Sequence, residues 1–107
     1  MNLEEQKCAT IEKGTEPLKP DEAAKLGEQT PGWEIAEKSI ERTFKFKNFV
    51  EAMDFANKIT AIAEGENHHP DLHVSWGKVR VELSTHSVGG LSINDFIVAA
   101  KISKLME

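Results

Sequence analysis

The sequence predicts an α+β fold: a four-stranded antiparallel sheet with helices packed on one face, in the order α-β-β-α-β-β-α. Three observations carry this reading. Residues 72–83 alternate apolar and polar side chains about a short turn, the pattern of a hairpin. Residues 48–64 place apolar side chains at helical intervals, forming a stripe that suits a helix lying on a sheet. Paired strands with segregated helices point to α+β rather than to a parallel α/β sheet.

Each element has its own signal. Pro20 followed by Asp21-Glu22 opens a helix, because proline suits the first helical position and acids suit the positive end of the dipole. That helix runs to about Gln29 and stops before Pro31-Gly32. Residues 33–36 form a short strand. Residues 40–46 form a second, with Ile40, Arg42, Phe44 and Phe46 on one face and Glu41, Thr43 and Lys45 on the other. Asn48 caps the long helix, whose stripe is Phe49, Ala52/Met53, Ala56, Ile59/Thr60 and Ala63, widened by Phe55 and Ile62. In the hairpin, Leu72, Val74 and Trp76 alternate, Gly77-Lys78 turns, and Val79, Val81 and Leu83 return. Ser87 to Leu91, with Gly89-Gly90, is a loop. Ser92 or Asn94 caps a last helix over residues 93–105.

The chain of 107 residues makes one domain, residues 17–107, preceded by a polar arm, residues 1–16, which lacks apolar periodicity and reads as mobile or loosely docked. Composition is that of a globular protein, 39% hydrophobic and 29% charged. The net charge of −5 and the lack of a basic stripe argue against nucleic acid and anionic membrane surfaces as partners. No apolar run approaches the ~20 residues that span a bilayer, and no signal-peptide pattern opens the chain. Cys8, the single cysteine, has no internal disulfide partner and fits a reducing cytoplasm.

The chemistry gathers in one stretch. All four histidines, His68, His69, His73 and His86, fall within residues 68–86. Histidine alone has an unperturbed pKa near neutrality. Pro70 holds His69 extended, and consecutive extended residues point to opposite sides, so His68 and His69 do different jobs. The hairpin's exit, Ser84-Thr85-His86, returns beside its entrance. A cleft of three imidazoles, a hydroxyl and backbone groups suits a neutral, planar, polar molecule that needs proton transfer. Two plainer readings stand beside it. The histidines can simply cap loop backbone. With Asp71 and Glu64 they also supply enough zinc ligands, but adjacent histidines chelate poorly and His69/His73 would need a helix. Glu64 orients an imidazole or ends a helix in solvent. Asp95 caps the last helix or touches a histidine. Trp33 and Trp76 wall the cleft or fill the core. Gly89-Gly90 accepts a ligand against bare backbone or makes a turn.

The pattern Glu64-x-x-x-His68-His69-Pro70, then Trp76-x-x-Val79-x-Val81, then Thr85-His86-x-x-Gly89-Gly90-Leu91-x-x-x-Asp95 resembles the pterin-4a-carbinolamine dehydratases, most closely their bacterial members. Pro31-Gly32-Trp33 and Phe44-x-Phe46-x-x-Phe49 also fit. The resemblance covers about residues 18–104. It implies dehydration of 4a-hydroxytetrahydrobiopterin, the spent cofactor of aromatic amino-acid hydroxylases such as phenylalanine hydroxylase, to quinonoid dihydrobiopterin. It implies His68, His69 and His86 as the essential histidines, with His68 and His86 transferring protons and His69 mainly holding substrate. Substrate contacts would come from Asn67, His68, His69, Pro70, Ser84, Thr85 and His86, with Glu64 and Asp95 behind them. No cofactor and no metal is implied; the pterin is the substrate. His73 lies outside the motif, and Ser87 stands where many members carry an acid.

The resemblance also implies self-association, at least a homodimer and by preference a homotetramer. The last helix points the same way, since Val98, Ile102 and Leu105 lie off its main stripe and would be exposed in a monomer. Two alternatives remain: a protein-binding, regulatory module, as animal members serve a homeodomain transcription factor, or a dehydratase of another pterin pathway.

Overall fold

A computed structural model describes residues 2–106. The elements are α1 (Pro20–Gly27), β1 (Glu34–Ile35), β2 (Ile40–Lys45), α2 (Phe49–Glu66), β3 (Asp71–Ser75), β4 (Lys78–Leu83) and α3 (Ile93–Lys104), with single 3-10 turns at Leu3–Glu5 and His86–Val88. The strands form one antiparallel sheet in the order β1-β2-β4-β3. The expected α+β architecture is therefore the one adopted.

Alternation assigns the sheet's two faces. Ile40, Phe44, Val79, Val81 and Leu83 are buried under the helices, while Thr43 and His73 flank Arg80 on the open face. On α2 the buried residues are Ala52, Phe55, Ala56, Ile59 and Ala63. Phe49, Val50 and Met53, at its start, stay exposed. Asn48 caps α2 by accepting a hydrogen bond from Glu51 N–H at 2.9 Å. Trp33 belongs to the core, its Nε1 donating to Ser103 Oγ at 2.8 Å, and Trp76 is 70% exposed.

Two expectations are corrected. The hairpin turns at Trp76-Gly77, not Gly77-Lys78, because Ser75 pairs with Lys78 and Val74 with Val79. Both registers keep Val and Leu on the inner face, so alternation fixes parity and not register. A tertiary bond, Phe46 N–H to Gly77 O at 2.7 Å, accompanies the observed one.

The second correction concerns the arm. Every residue of α3 from Asn94 to Ala100 is buried, as is Ile102, so this helix is covered all round. The N-terminal segment forms part of that cover. Leu3 is 1% exposed within the main core, and the turn Leu3–Glu5 packs on α3. Lys101 Nζ donates to Glu4 O at 2.9 Å. The arm is docked, and Val98 and Ile102 are sealed inside a single chain, so the exposure argument for self-association through α3 does not hold.

Candidate active site

Helix α2 ends where the histidines begin. Asn67 takes the left-handed conformation, φ 52°, which asparagine tolerates better than most residues. The N–H groups of Asn67 and His68 both donate to Ala63 O, closing the helix and turning His68 inward.

His68 meets α3 there. Its Nε2 lies 2.6 Å from Asp95 Oδ1, and the Asp95 side chain is fully sealed from solvent. The carboxylate is held on its other oxygen. Asp95 Oδ2 accepts from Thr85 Oγ1 at 2.8 Å and from Ser92 N–H at 3.0 Å. These bonds fix the proton order. Thr85 has one hydroxyl hydrogen and gives it to Asp95, so Ser92 Oγ, 2.7 Å away, must donate to Thr85. Ser92 Oγ in turn accepts from Asn94 N–H at 3.2 Å. Asp95 thus does both things the sequence left open: it caps α3 and it grips a histidine. With the carboxylate ionised, Nε2 carries the proton and Nδ1 remains the available nitrogen. Among the described residues Nδ1 has no hydrogen-bond partner.

His69 points elsewhere. Its Nε2 lies 2.6 Å from Glu64 Oε2, with both side chains largely exposed. His69, Pro70 and Glu64 line a shallow cleft of about 140 Å³. Glu64 and Asp95 therefore each hold one ring of the His-His pair, and Asp71 holds neither. His86 opens the 3-10 turn after Thr85 and is exposed. Thr85 and Gly90 exchange backbone hydrogen bonds across this loop, and Gly89 takes φ 68° to close it. His73 sits on the open sheet face opposite Arg80.

A polar cavity of about 250 Å³ opens beside His68. Of the expected site residues, Asn67, His68 and Thr85 line it; His69, Pro70, Ser84 and His86 do not. Ser87 and Asn94 add to its wall, and Cys8–Ile11 and Glu66 complete it. Nothing in the local pattern points the arm here, since its contacts are long-range and its residues lack periodicity. A larger apolar cavity of about 620 Å³ between α1 and the Gly89-Gly90 loop has no histidine on its walls.

Two ionisable groups on the wall are perturbed. Burial, then the neighbouring Glu66 carboxylate, push the Cys8 thiol up to about 12. Burial by itself would raise Glu66, but the Cys8 N–H bond and the ammonium groups of Lys101 and Lys7 outweigh it and hold the carboxyl below its usual value. Among the described residues no three His, Cys, Asp or Glu side chains gather to hold a metal ion. None of the described helices is long and apolar enough to cross a membrane.

Comparison with known proteins places this geometry in a family. The family model described as pterin 4 alpha carbinolamine dehydratase matches residues 16–105. Several bacterial relatives have been assigned the name pterin-4-alpha-carbinolamine dehydratase. One from Rickettsia canadensis is 51% identical over 94% of this chain and 94% of its own. One from Nitrosomonas europaea is 46% identical over 99% of this chain and 95% of its own. A crystal structure from Brucella melitensis, titled transcriptional coactivator/pterin dehydratase, is 30% identical, with TM-score 0.80 over 85% of this chain and 99% of that one.

Proposed function

The chain belongs to the pterin 4 alpha carbinolamine dehydratase family, a family of hydro-lyases, and from that premise we propose that it removes water from 4a-hydroxytetrahydrobiopterin, giving quinonoid dihydrobiopterin. The single observation that carries the mechanism is His68, a ring oriented by a sealed carboxylate at the wall of a polar cavity. In the reaction the C4a–O bond breaks and its electron pair leaves with oxygen. An imidazolium protonates that oxygen, so water departs rather than hydroxide. A base removes the ring N–H proton, and the freed pair forms the new C=N bond. General acid–base assistance of this kind typically contributes about 10²–10⁴-fold.

His68 and His86 are the proposed proton-transfer pair, and His69 a substrate-holding residue steadied by Glu64. Asn67, Pro70, Ser84 and Thr85 complete the proposed contacts, and Asp95 orients His68. No metal or cofactor enters this chemistry. The setting is cytoplasmic, where the reaction would return spent tetrahydrobiopterin to a hydroxylase or serve another pterin pathway. Homo-oligomerisation remains part of the proposal, resting now on Phe49, Val50 and Met53 of α2.

The test is a dehydration assay with 4a-hydroxytetrahydropterin generated in situ, without added metal and with chelator present. Acceleration that His68→Ala/His86→Ala abolishes supports the reading. Activity lost to chelator and restored by zinc would replace it. The coactivator half of the Brucella protein's name favours a second reading, a regulatory partner surface. That reading alone would leave the wild-type protein inactive in the same assay.

A further inference from the structure

The cavity beside His68 has a wall that the family model does not include. The match begins at residue 16, yet Cys8, Ala9, Thr10 and Ile11 line the space shared with Asn67, His68 and Thr85. These four residues belong to no helix or strand. Side chains from elsewhere hold them in place.

Two latches do this. Asn94 treats Ala9 as a neighbouring strand would: its Nδ2 donates to Ala9 O at 2.7 Å and its Oδ1 accepts from Ala9 N–H at 3.2 Å. Glu66 Oε1 accepts from Cys8 N–H at 2.8 Å, and its other oxygen lies 3.7 Å from Lys101 Nζ. The segment is also tied at both ends. Upstream, Leu3 is in the core. Downstream, Leu18 N–H donates to Leu91 O at 2.8 Å. The strap therefore crosses the cavity under constraint. Beyond the Ala9 latch, the N–H and C=O groups of Thr10 and Ile11 have no protein partner among the described residues. Backbone donors and acceptors left unpaired on residues that line the cavity are available to the hydrogen-bonding edge of a planar pyrimidinone ring.

We propose that residues 8–11 are a specificity-determining wall of the pterin site, with Thr10 and Ile11 limiting the size of the bound molecule and Asn94 and Glu66 fixing that wall's distance from His68. This inference rests on the dehydratase reading of the cavity. At about 250 Å³ the space is smaller than the ~300 Å³ at which drug-sized sites begin. One added indole ring on the strap is enough to obstruct it.

The experiment compares dehydration kinetics of the wild-type protein, Thr10→Trp and Ile11→Trp, with thermal melting of each. Thr10 is exposed and Ile11 half-buried, so the melting midpoints should stay near wild type. KM should rise by about tenfold or more while kcat stays within about twofold, the pattern of lost uniform binding. If either variant folds poorly, Thr10→Ala and Ile11→Ala read the opposite direction. They should lower KM for pterins with bulky C6 substituents relative to unsubstituted ones. Active wild-type protein with KM unchanged in every folded strap variant would overturn the inference and leave the dehydratase reading intact. Wild-type protein with no activity overturns both.

Discussion

Asp95 Oδ1 lies 2.6 Å from His68 Nε2, although the two residues are 27 positions apart and sit on different helix ends. The carboxylate is wholly buried and accepts three hydrogen bonds: one from the imidazole, one from Thr85 and one from Ser92 N–H. The α3 cap and the His68 orienting group are therefore one side chain. Helix stability and ring position cannot be changed separately at this residue.

Asp95→Asn should separate charge from shape. The amide oxygen can still accept from Thr85 and Ser92, which leaves the amide NH₂ facing His68. Nε2 must then accept, and the ring proton moves to Nδ1. We expect kcat for dehydration to fall by about 10²-fold or more, within the range for loss of a positioned acid–base group. The pH–rate profile should shift, while the fold survives. Unchanged kcat and an unchanged profile would remove Asp95 from the mechanism. Asp95→Ala should instead cost about 3–5 kcal/mol of stability, because it strands buried donors and an imidazole.

Replacing both His68 and His86 with alanine should remove nearly all catalysis and leave the circular dichroism spectrum intact. Each single change should leave partial turnover. His69→Ala should raise KM more than kcat falls, because its ring and Glu64 form a separate exposed pair. His73, opposite Arg80 on the open sheet face, is the control. Damage from His73→Ala greater than from the other three would contradict the site assignment.

The Cys8 thiol should be sluggish. With its pKa pushed up from 9.0 to about 12, little thiolate exists at pH 8. Iodoacetamide should modify it more slowly than a free thiol, by up to about the thousandfold difference in thiolate, less a partial offset from the greater nucleophilicity of a more basic thiolate. Glu66→Gln should speed the reaction by removing the adjacent negative charge. The folded state favours the protonated thiol, so this contribution to stability is complete below pH 9.0 and declines as pH rises toward 12. The melting difference between wild type and Cys8→Ala should track that window.

Glu66 carries the opposite sign. Its folded pKa lies below the ordinary 4.5. Its ionised form therefore stabilises the fold above that value, and the contribution is lost as pH falls through the folded value. Glu66→Gln should be less stable than wild type at pH 7, and the gap should narrow below about pH 4.5. A gap that stays constant down to pH 3 would show that Glu66 acts through shape alone.

Self-association, if it occurs through the exposed start of α2, should depend on Phe49, Val50 and Met53. Burying such side chains is worth about 1.5–3 kcal/mol each. Light scattering after gel filtration should report a dimer or tetramer for the wild type and a smaller species for Val50→Glu/Met53→Glu. A wild-type monomer at micromolar concentration would refute oligomerisation.

Local pattern determined much of this molecule. Period-two alternation at 40–46 and 72–83 and the helical stripe at 48–64 set the sheet and its covering helix, because a face that must be buried writes itself at regular spacing. Pro20, Asn48 and Ser92 marked helix starts for equally local reasons. The His-His-Pro and Thr-His segments flagged the acid–base chemistry, since few residue types titrate near neutrality. Only the tertiary structure decided the rest. The hairpin register, with Ser75 opposite Lys78, was not written in the alternation; a bond from Phe46 N–H to Gly77 O accompanies it. The destination of the arm depended on Glu66, Asn94 and Lys101, whose partners in the arm lie about 60 to 100 positions away in sequence and leave no periodic trace. Val98 and Ile102, which the sequence alone had left to a second subunit, are buried within the chain, and the arm packs on their helix. Asp95 was legible as a cap because its partner is three residues away, and contact with a histidine was its other reading, but which histidine it would hold was not legible. A hydrogen bond between two helix ends is specified by how they pack in space.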